Sequence, residues 1–263
     1  MDVEFKTVNG ARLAYRFDGP AGAPVVMLGN SLAASMAMWQ PQLAALGAWR
    51  VLRCDVRGHG ASEATPAPYT LVQLADDAIG LLDALGLAQV HFVGLSMGGM
   101  IGQVLGARHA DRLLSLALCD TASDMRAMRA AWDERIAIAR RDGMAAIAGP
   151  TLQRWFTPAF FERSPQAVQA VREMIERTPI EGYAGCASAV RDLNQSPLLR
   201  DIAVRTTVIA GELDPACTPA QARELQSQIP GASLRLLADC AHLPNIEQPA
   251  AFDEALLAHL NRS

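Results

Sequence analysis

Val90-His91-Phe92-Val93-Gly94-Leu95-Ser96-Met97-Gly98-Gly99-Met100-Ile101-Gly102 is the stretch on which the reading of this chain turns. A β-branched apolar run passes into Gly-x-Ser-x-Gly and then into small, helix-compatible residues: a strand, a sharp turn and a helix. Ser96 stands at the apex of that turn. Gly94 and Gly98 are the positions where a Cβ would collide with the backbone passing on either side. Such a turn lifts a serine hydroxyl clear of the sheet and aims the unpaired N–H groups of a helix N-terminus at any oxyanion forming there. Gly and Ser are common, so the five-residue match alone carries little; its weight comes from its context.

Upstream, Phe5 to Val8 and Leu13 to Phe17 flank Asn9-Gly10 and read as a hairpin. Val25 to Gly29 reads as a short buried strand, and Trp49 to Cys54 as another. The loop after the first of these, Gly29-Asn30-Ser31-Leu32-Ala33-Ala34-Ser35, is where α/β-hydrolases place one oxyanion-hole N–H, the other coming from the residue after the nucleophile. By position the donors are the backbone N–H groups of Leu32 and Met97. Asn30 and Ser31 either cap the following helix or contact ligand; both readings stand. Asp55 to Ser62 contains His59, too early for a general base, and reads as a structural turn around Asp55 and Arg57. Leu71 to Leu85 has helical apolar spacing, with Asp76, Asp77 and Asp83 assigned to its solvated side and Gly86 as its stop.

Downstream, Leu113 to Cys119 is a continuous apolar run closing at Asp120-Thr121. From Ala122 to Pro197 strand-like runs disappear. Helical segments such as Met125 to Arg141 and Gln166 to Arg177 are broken by Gly149-Pro150, Thr157-Pro158 and Ser164-Pro165, which reads as a helical cap inserted into an α/β core. Trp132 and Arg135 lie three apart and share a helix face. On the cavity side they offer an aromatic wall and a carboxylate clamp; on the outer side Arg135 is solvated. Strands resume at Thr207 to Ala210 and Ser233 to Leu237, and a closing helix runs from Ala250 to Leu260. Asp214 leaves the C-terminal end of the first of these strands, where catalytic groups of open parallel sheets gather, and is the favoured acid. Glu212 fits by type, and Asp120, after its own strand, is the runner-up. His242 lies in a polar loop after the last strand. His91, His109 and His259 fall inside a strand or near helix ends and are set aside as structural.

The expected fold is therefore an α/β-hydrolase: a mostly parallel eight-stranded sheet with flanking helices, its core split into 1–121 and 198–263 by a cap over 122–197. With 263 residues, 51% of them apolar and 19% charged, the chain can bury a sizeable core. A net charge of −4 offers no electrostatic reason to expect nucleic acid or an anionic membrane. Five scattered cysteines without a Cys-x-x-Cys pair point to reduced thiols in a cytoplasm and away from a metal site. The first residues lack the pattern of a signal peptide, and no apolar run reaches the ~18 residues of a membrane span. Oligomeric state has no signature here.

The sequence resembles the 3-oxoadipate enol-lactonases (β-ketoadipate enol-lactone hydrolases) of bacterial aromatic-acid degradation. The likeness is carried by Asn30-Ser31-Leu32 with Met38-Trp39, Asp55 to Ser62, Gly94 to Gln103, Arg154 to Pro158, Glu181 to Cys186, and Ala241-His242 followed by Asn245 to Pro249. It implies a cofactor-free serine hydrolase with Ser96 as nucleophile, His242 as base and Asp214 as orienting acid. It also implies a cap that recognises the carboxylate of a small anionic lactone, for which Trp132 and Arg135 fit by type; Ser31 and Trp155 are the further substrate-binding candidates. Ala33-Ala34 departs from the pattern where a glycine is expected. A general carboxylesterase or perhydrolase shares the scaffold, and a small-ligand receptor of the same fold is the alternative from a different class.

Overall fold

The computed structural model describes residues 2–261; Met1, Arg262 and Ser263, at the outer ends of the two expected core portions, lie outside the described residues. Among the described residues, eight strands form one sheet in the order β1-β2-β4-β3-β5-β6-β7-β8. The first two, β1 (Glu4–Val8) and β2 (Ala11–Asp18), make the expected antiparallel edge hairpin. Its two-residue turn works because Asn9 and Gly10 both adopt positive φ, 47° and 77°. β3 (Val25–Gly29), β4 (Arg50–Cys54), β5 (Val90–Leu95), β6 (Leu113–Cys119), β7 (Thr206–Gly211) and β8 (Ser233–Leu237) run parallel to one another. Every residue of β3, β5 and β7 is buried, as strands covered by helices on both faces require.

Helix α1 (Leu71–Ala84) ends at Leu85, with Gly86 in the left-handed region after it. Its acidic residues are not all solvated, contrary to the expectation. Asp77 is buried and takes a two-pronged ion pair from Arg57, with both nitrogens at 2.7 Å. The spacing of Asp77 matches the outer face, but the arginine turn after β4 packs over it, so the charge is matched rather than hydrated.

Helix α2 (Met97–Arg108) follows β5 directly. Between β6 and β7 the chain is helical: α3 (Arg129–Asp142), α4 (Met144–Trp155), α5 (Pro158–Arg163), α6 (Pro165–Glu176) and α7 (Ile180–Arg191). The segment expected from Met125 begins as a 3₁₀ turn over Arg126–Met128 before α3. Thr157-Pro158 and Ser164-Pro165 separate helices as expected. Gly149-Pro150 does not: Pro150 lies inside α4. The carbonyl it leaves without a donor belongs to Ala146, an exposed residue at which solvent can take the donor's place, and the helix continues. Helices α8 (Pro219–Gln228), α9 (Pro244–Glu247) and α10 (Pro249–Leu260) complete the core. Among the described residues no helix is long and apolar enough to cross a membrane.

Candidate active site

The turn from β5 to α2 has the geometry its glycines predict. Ser96 sits at φ 55°, ψ −113°, a conformation outside the ordinary regions that persists only where the surroundings hold it. Its N–H donates to the Cys119 carbonyl at 2.8 Å, and its own carbonyl accepts the Thr121 hydroxyl at 2.8 Å. A Cβ on Gly94 would stand 2.2 Å from the Gly98 carbonyl oxygen, and one on Gly98 2.3 Å from that of Gly29. Only hydrogen fits at either position, which brings β3, β5 and α2 together beneath Ser96.

The Asn30–Ser35 loop lies against this turn. Asn30 and Ser31 do not cap the next helix; Ser35 does, accepting the Ala37 N–H. Asn30 is a strut, its Nδ2 donating to the Cys54 carbonyl at 2.8 Å and its Oδ1 accepting the Trp39 indole N–H at 3.0 Å. Ser31 lines the cavity in front of Ser96, and its buried hydroxyl has no partner among the described residues. Leu32 lines the same cavity, while Met97 is the fully buried first residue of α2. Of Ala33-Ala34, which stand where the resemblance leads one to expect a glycine, Ala33 has φ 61°, in the left-handed region that favours glycine. Holding an alanine there costs on the order of 1–3 kcal/mol. His59 helps to hold it, its Nε2 accepting the Ala33 N–H at 2.9 Å. Burial lowers the His59 pKa to about 4, which keeps that nitrogen an acceptor. The structural reading of the 55–62 turn thus gains content: Asp55 likewise accepts N–H groups, from Met36 at 2.7 Å and Ala61 at 2.9 Å.

Asp214 and His242 converge from the loops after β7 and β8. The imidazole Nδ1 and Asp214 Oδ2 are 2.7 Å apart, and Asp214 Oδ1 accepts the N–H groups of Ala216 and Cys217 at 2.7 and 3.1 Å. Both side chains are buried, and His242 lines the cavity with Ser96. Glu212, the acid two residues earlier, is exposed. Asp120 is fully buried beside Asp214, and its Oδ1 accepts the Gly211 N–H at 2.8 Å. The His242 loop is tied to the helices above the cavity. Buried Glu247 accepts the Ala241 N–H at 2.9 Å through one oxygen and both the N–H and hydroxyl of Thr157 through the other. The Trp155 ring lies 5.9 Å from the imidazole, tilted by 31°.

The cavity encloses about 200 Å³, room for a small molecule. Trp132, Arg135 and Trp155 line it, as their residue types suggest, and so do Thr151, Arg154 and Tyr183, none of which is a binding candidate from sequence, although Arg154 and Tyr183 lie in stretches that carry the resemblance. Arg135 stacks over the Trp132 ring at 4.2 Å, and its guanidinium and that of Arg154 both point to the Thr151 hydroxyl, at 3.4 and 3.5 Å. Burial, and next the nearby Arg135 charge, lower the Arg154 pKa. Neither guanidinium is paired with a carboxylate among the described residues, so this wall of the cavity is electropositive and open to an anion.

Asp214, Cys217 and His242 also form a group of metal-ligating types, with ligand atoms within 4.8 Å of one another. A cation there would compete with the hydrogen bonds already made by both Asp214 oxygens and by the imidazole Nδ1. The Cys217 thiol is pushed well above its ordinary pKa by burial and by Asp214 and Asp120. The donor set fits an orienting acid and a base better than an ion.

A family model described as the alpha/beta hydrolase fold matches residues 24–249. The chain is 36% identical to 3-oxoadipate enol-lactonase 2 of Acinetobacter baylyi, over 97% of this chain and 96% of that one. A putative carbamate hydrolase of Caulobacter vibrioides is 29% identical, with coverage of 97% and 96%. Among solved structures, the enol-lactonase from Burkholderia xenovorans LB400 superposes with a TM-score of 0.95 at 43% identity, over 98% of this chain and all of that one.

Proposed function

The chain belongs to the α/β-hydrolase family, among carboxylic-ester hydrolases similar to the 3-oxoadipate enol-lactonases, and from that premise we propose that it opens 3-oxoadipate enol-lactone with Ser96, His242 and Asp214. The observation that carries the substrate is the pair of carboxylate-free arginines, Arg135 and Arg154, in the cavity that Ser96 and His242 also line. A small lactone bearing a carboxylate places its anion against that wall and its carbonyl at the serine.

His242 Nε2 takes the Ser96 proton while Oγ attacks the lactone carbonyl, and the proton on Nδ1 stays with the Asp214 hydrogen bond that fixes the tautomer. The N–H groups of Leu32 and Met97 receive the oxyanion, each contributing about 3 kcal/mol to the transition state. Collapse of the tetrahedral intermediate breaks the ring C–O bond. The leaving oxygen is an enol, protonated by His242 and tethered to the acyl chain, and its drift to the ketone makes ring opening hard to reverse. Water activated by His242 then releases the 3-oxo diacid. Trp155 over the imidazole and the apolar residues around the cavity limit the water that reaches Ser96. No cofactor enters this scheme. Five free, buried cysteines suit a cytoplasmic enzyme.

The test is kcat/KM for the enol-lactone measured beside neutral acyl esters and a simple carbamate. The proposal expects the lactone to lead by orders of magnitude. Parity with neutral esters would make the protein a general carboxylesterase, and a preference for the carbamate would place it with its other relatives.

A further inference from the structure

Two carboxyl groups stand at the C-terminal ends of adjacent strands and share one glycine. Asp120 follows β6 and Asp214 follows β7. The Gly211 N–H donates to Asp120 Oδ1 at 2.8 Å, and the Gly211 carbonyl accepts the Asp214 N–H at 3.3 Å. Asp120 is fully buried, and its φ of 41° lies in the left-handed region. Its second oxygen, Oδ2, is buried and has no donor among the described residues, and the side chain lies within hydrogen-bonding reach of the Asp214 carboxyl.

An acceptor facing an acceptor in a dry interior is unstable unless one of them carries a proton. Among the described residues the other titratable groups facing Asp120 are the thiols of Cys119, Cys217 and Cys240, while the His242 imidazole faces Asp214, so no cation meets Asp120 itself. Hydrogen bonding decides which carboxyl is ionised. Asp214 receives three N–H donors, from Ala216, Cys217 and His242, whereas Asp120 receives one. The anion belongs on Asp214 and the proton on Asp120.

We propose that Asp120 is a positioning residue whose carboxyl keeps its proton and donates Oδ2–H to Asp214, giving the acid behind His242 a fourth hydrogen bond and leaving one negative charge in the pair. The shift of Asp120 well above the usual carboxylate range, through burial first and the Asp214 charge second, accords with this. In the hydrolase reading on which the proposal rests, the two acids that compete for one role in the sequence hold two: Asp214 orients the base, and Asp120 orients Asp214.

Two variants and one spectrum test it. Asp120→Asn keeps an acceptor for Gly211 and a neutral donor for Asp214. It should hold kcat within about threefold of the parent, with the acidic limb of the kcat/KM profile unmoved. Asp120→Ala removes the donor and should lower kcat about tenfold or more at unchanged KM. The infrared difference between the parent and Asp120→Asn at neutral pH should show the C=O stretch of a protonated carboxyl. A carboxylate band in its place, or an acidic limb that moves to lower pH in Asp120→Asn, would mean that Asp120 is ionised and would overturn the proposal. So would full kcat in a folded Asp120→Ala. The spectrum needs no turnover, so it decides the protonation state even if the protein hydrolyses none of the substrates offered.

Discussion

Replacing Arg154 with Met separates recognition of the substrate's charge from the chemistry at Ser96. The methionine keeps much of the apolar stem that packs at the cavity wall and removes the guanidinium. In the parent, that guanidinium and Arg135 both point to one hydroxyl, Thr151 Oγ1, and among the described residues no carboxylate pairs with either. A hydrogen bond to a charged partner contributes about 1.5–3 kcal/mol, so its loss should raise KM for the anionic lactone about 10- to 150-fold. The kcat should change little, because the arginine acts on a carboxylate that does not react. Neutral esters should be processed as by the parent. Arg154 is partly buried beside another cation, so the variant without ligand should unfold at an equal or higher temperature. The assay is steady-state kinetics on lactone and neutral ester, together with a melting curve. An unchanged KM for the lactone, or an equal loss on the neutral ester, would refute a charge-recognition role.

Three other perturbations address the scaffold. His59 has a folded pKa of about 4 against 6.5 unfolded, so the unfolded chain takes up a proton that the folded state refuses. Stability should fall as pH drops from about 6.5 to 4, by about 3 kcal/mol in all at 1.36 kcal/mol per unit. His59→Gln should flatten that part of the melting-temperature profile, and a parallel slope in the variant would contradict the assignment. Gly98→Ala puts a Cβ 2.3 Å from the Gly29 carbonyl oxygen, and only backbone movement relieves it. The melting temperature and ester turnover should both collapse; a melt like the parent's would show that β3 and α2 are not locked together there. Glu247→Gln turns an oxygen that accepts an N–H into an amide that opposes one, at a cost of about 1–3 kcal/mol. Because one of its contacts is Ala241, beside His242, kcat should fall along with stability, and a fall in stability alone would make Glu247 purely structural.

What the sequence disclosed follows from how local each signal is. The hairpin at Asn9-Gly10, the turn at Ser96 and the strand Leu113–Cys119 each depend on neighbours within a few residues. The glycine expected at Ala33-Ala34 comes from the resemblance to the enol-lactonases, not from the local pattern, and Ala33 has φ 61°. Other features depend on what packs from a distance. The spacing of α1 places Asp77 on the outer face, but Arg57 from the turn after β4 covers it. Arg154 is one arginine among many in 122–197, and nothing in its immediate neighbours shows that it turns inward toward Arg135; only the folding of α3 against α4 decides that. Glu247 lies inside a stretch singled out for its resemblance, yet its partner Thr157 is 90 residues away. Asp120 reads as a rival of Asp214 because alignment along the chain does not reveal that β6 and β7 are neighbours.

The account rests on Ser96 being the atom that becomes acylated. Enzyme quenched in acid during the first turnovers of the enol-lactone or a chromogenic ester, then digested and weighed, should carry the acyl group on the peptide containing Ser96. Ser96→Ala should carry none and should lose turnover by several orders of magnitude. An acyl group on another residue, or turnover that survives in Ser96→Ala, would contradict it.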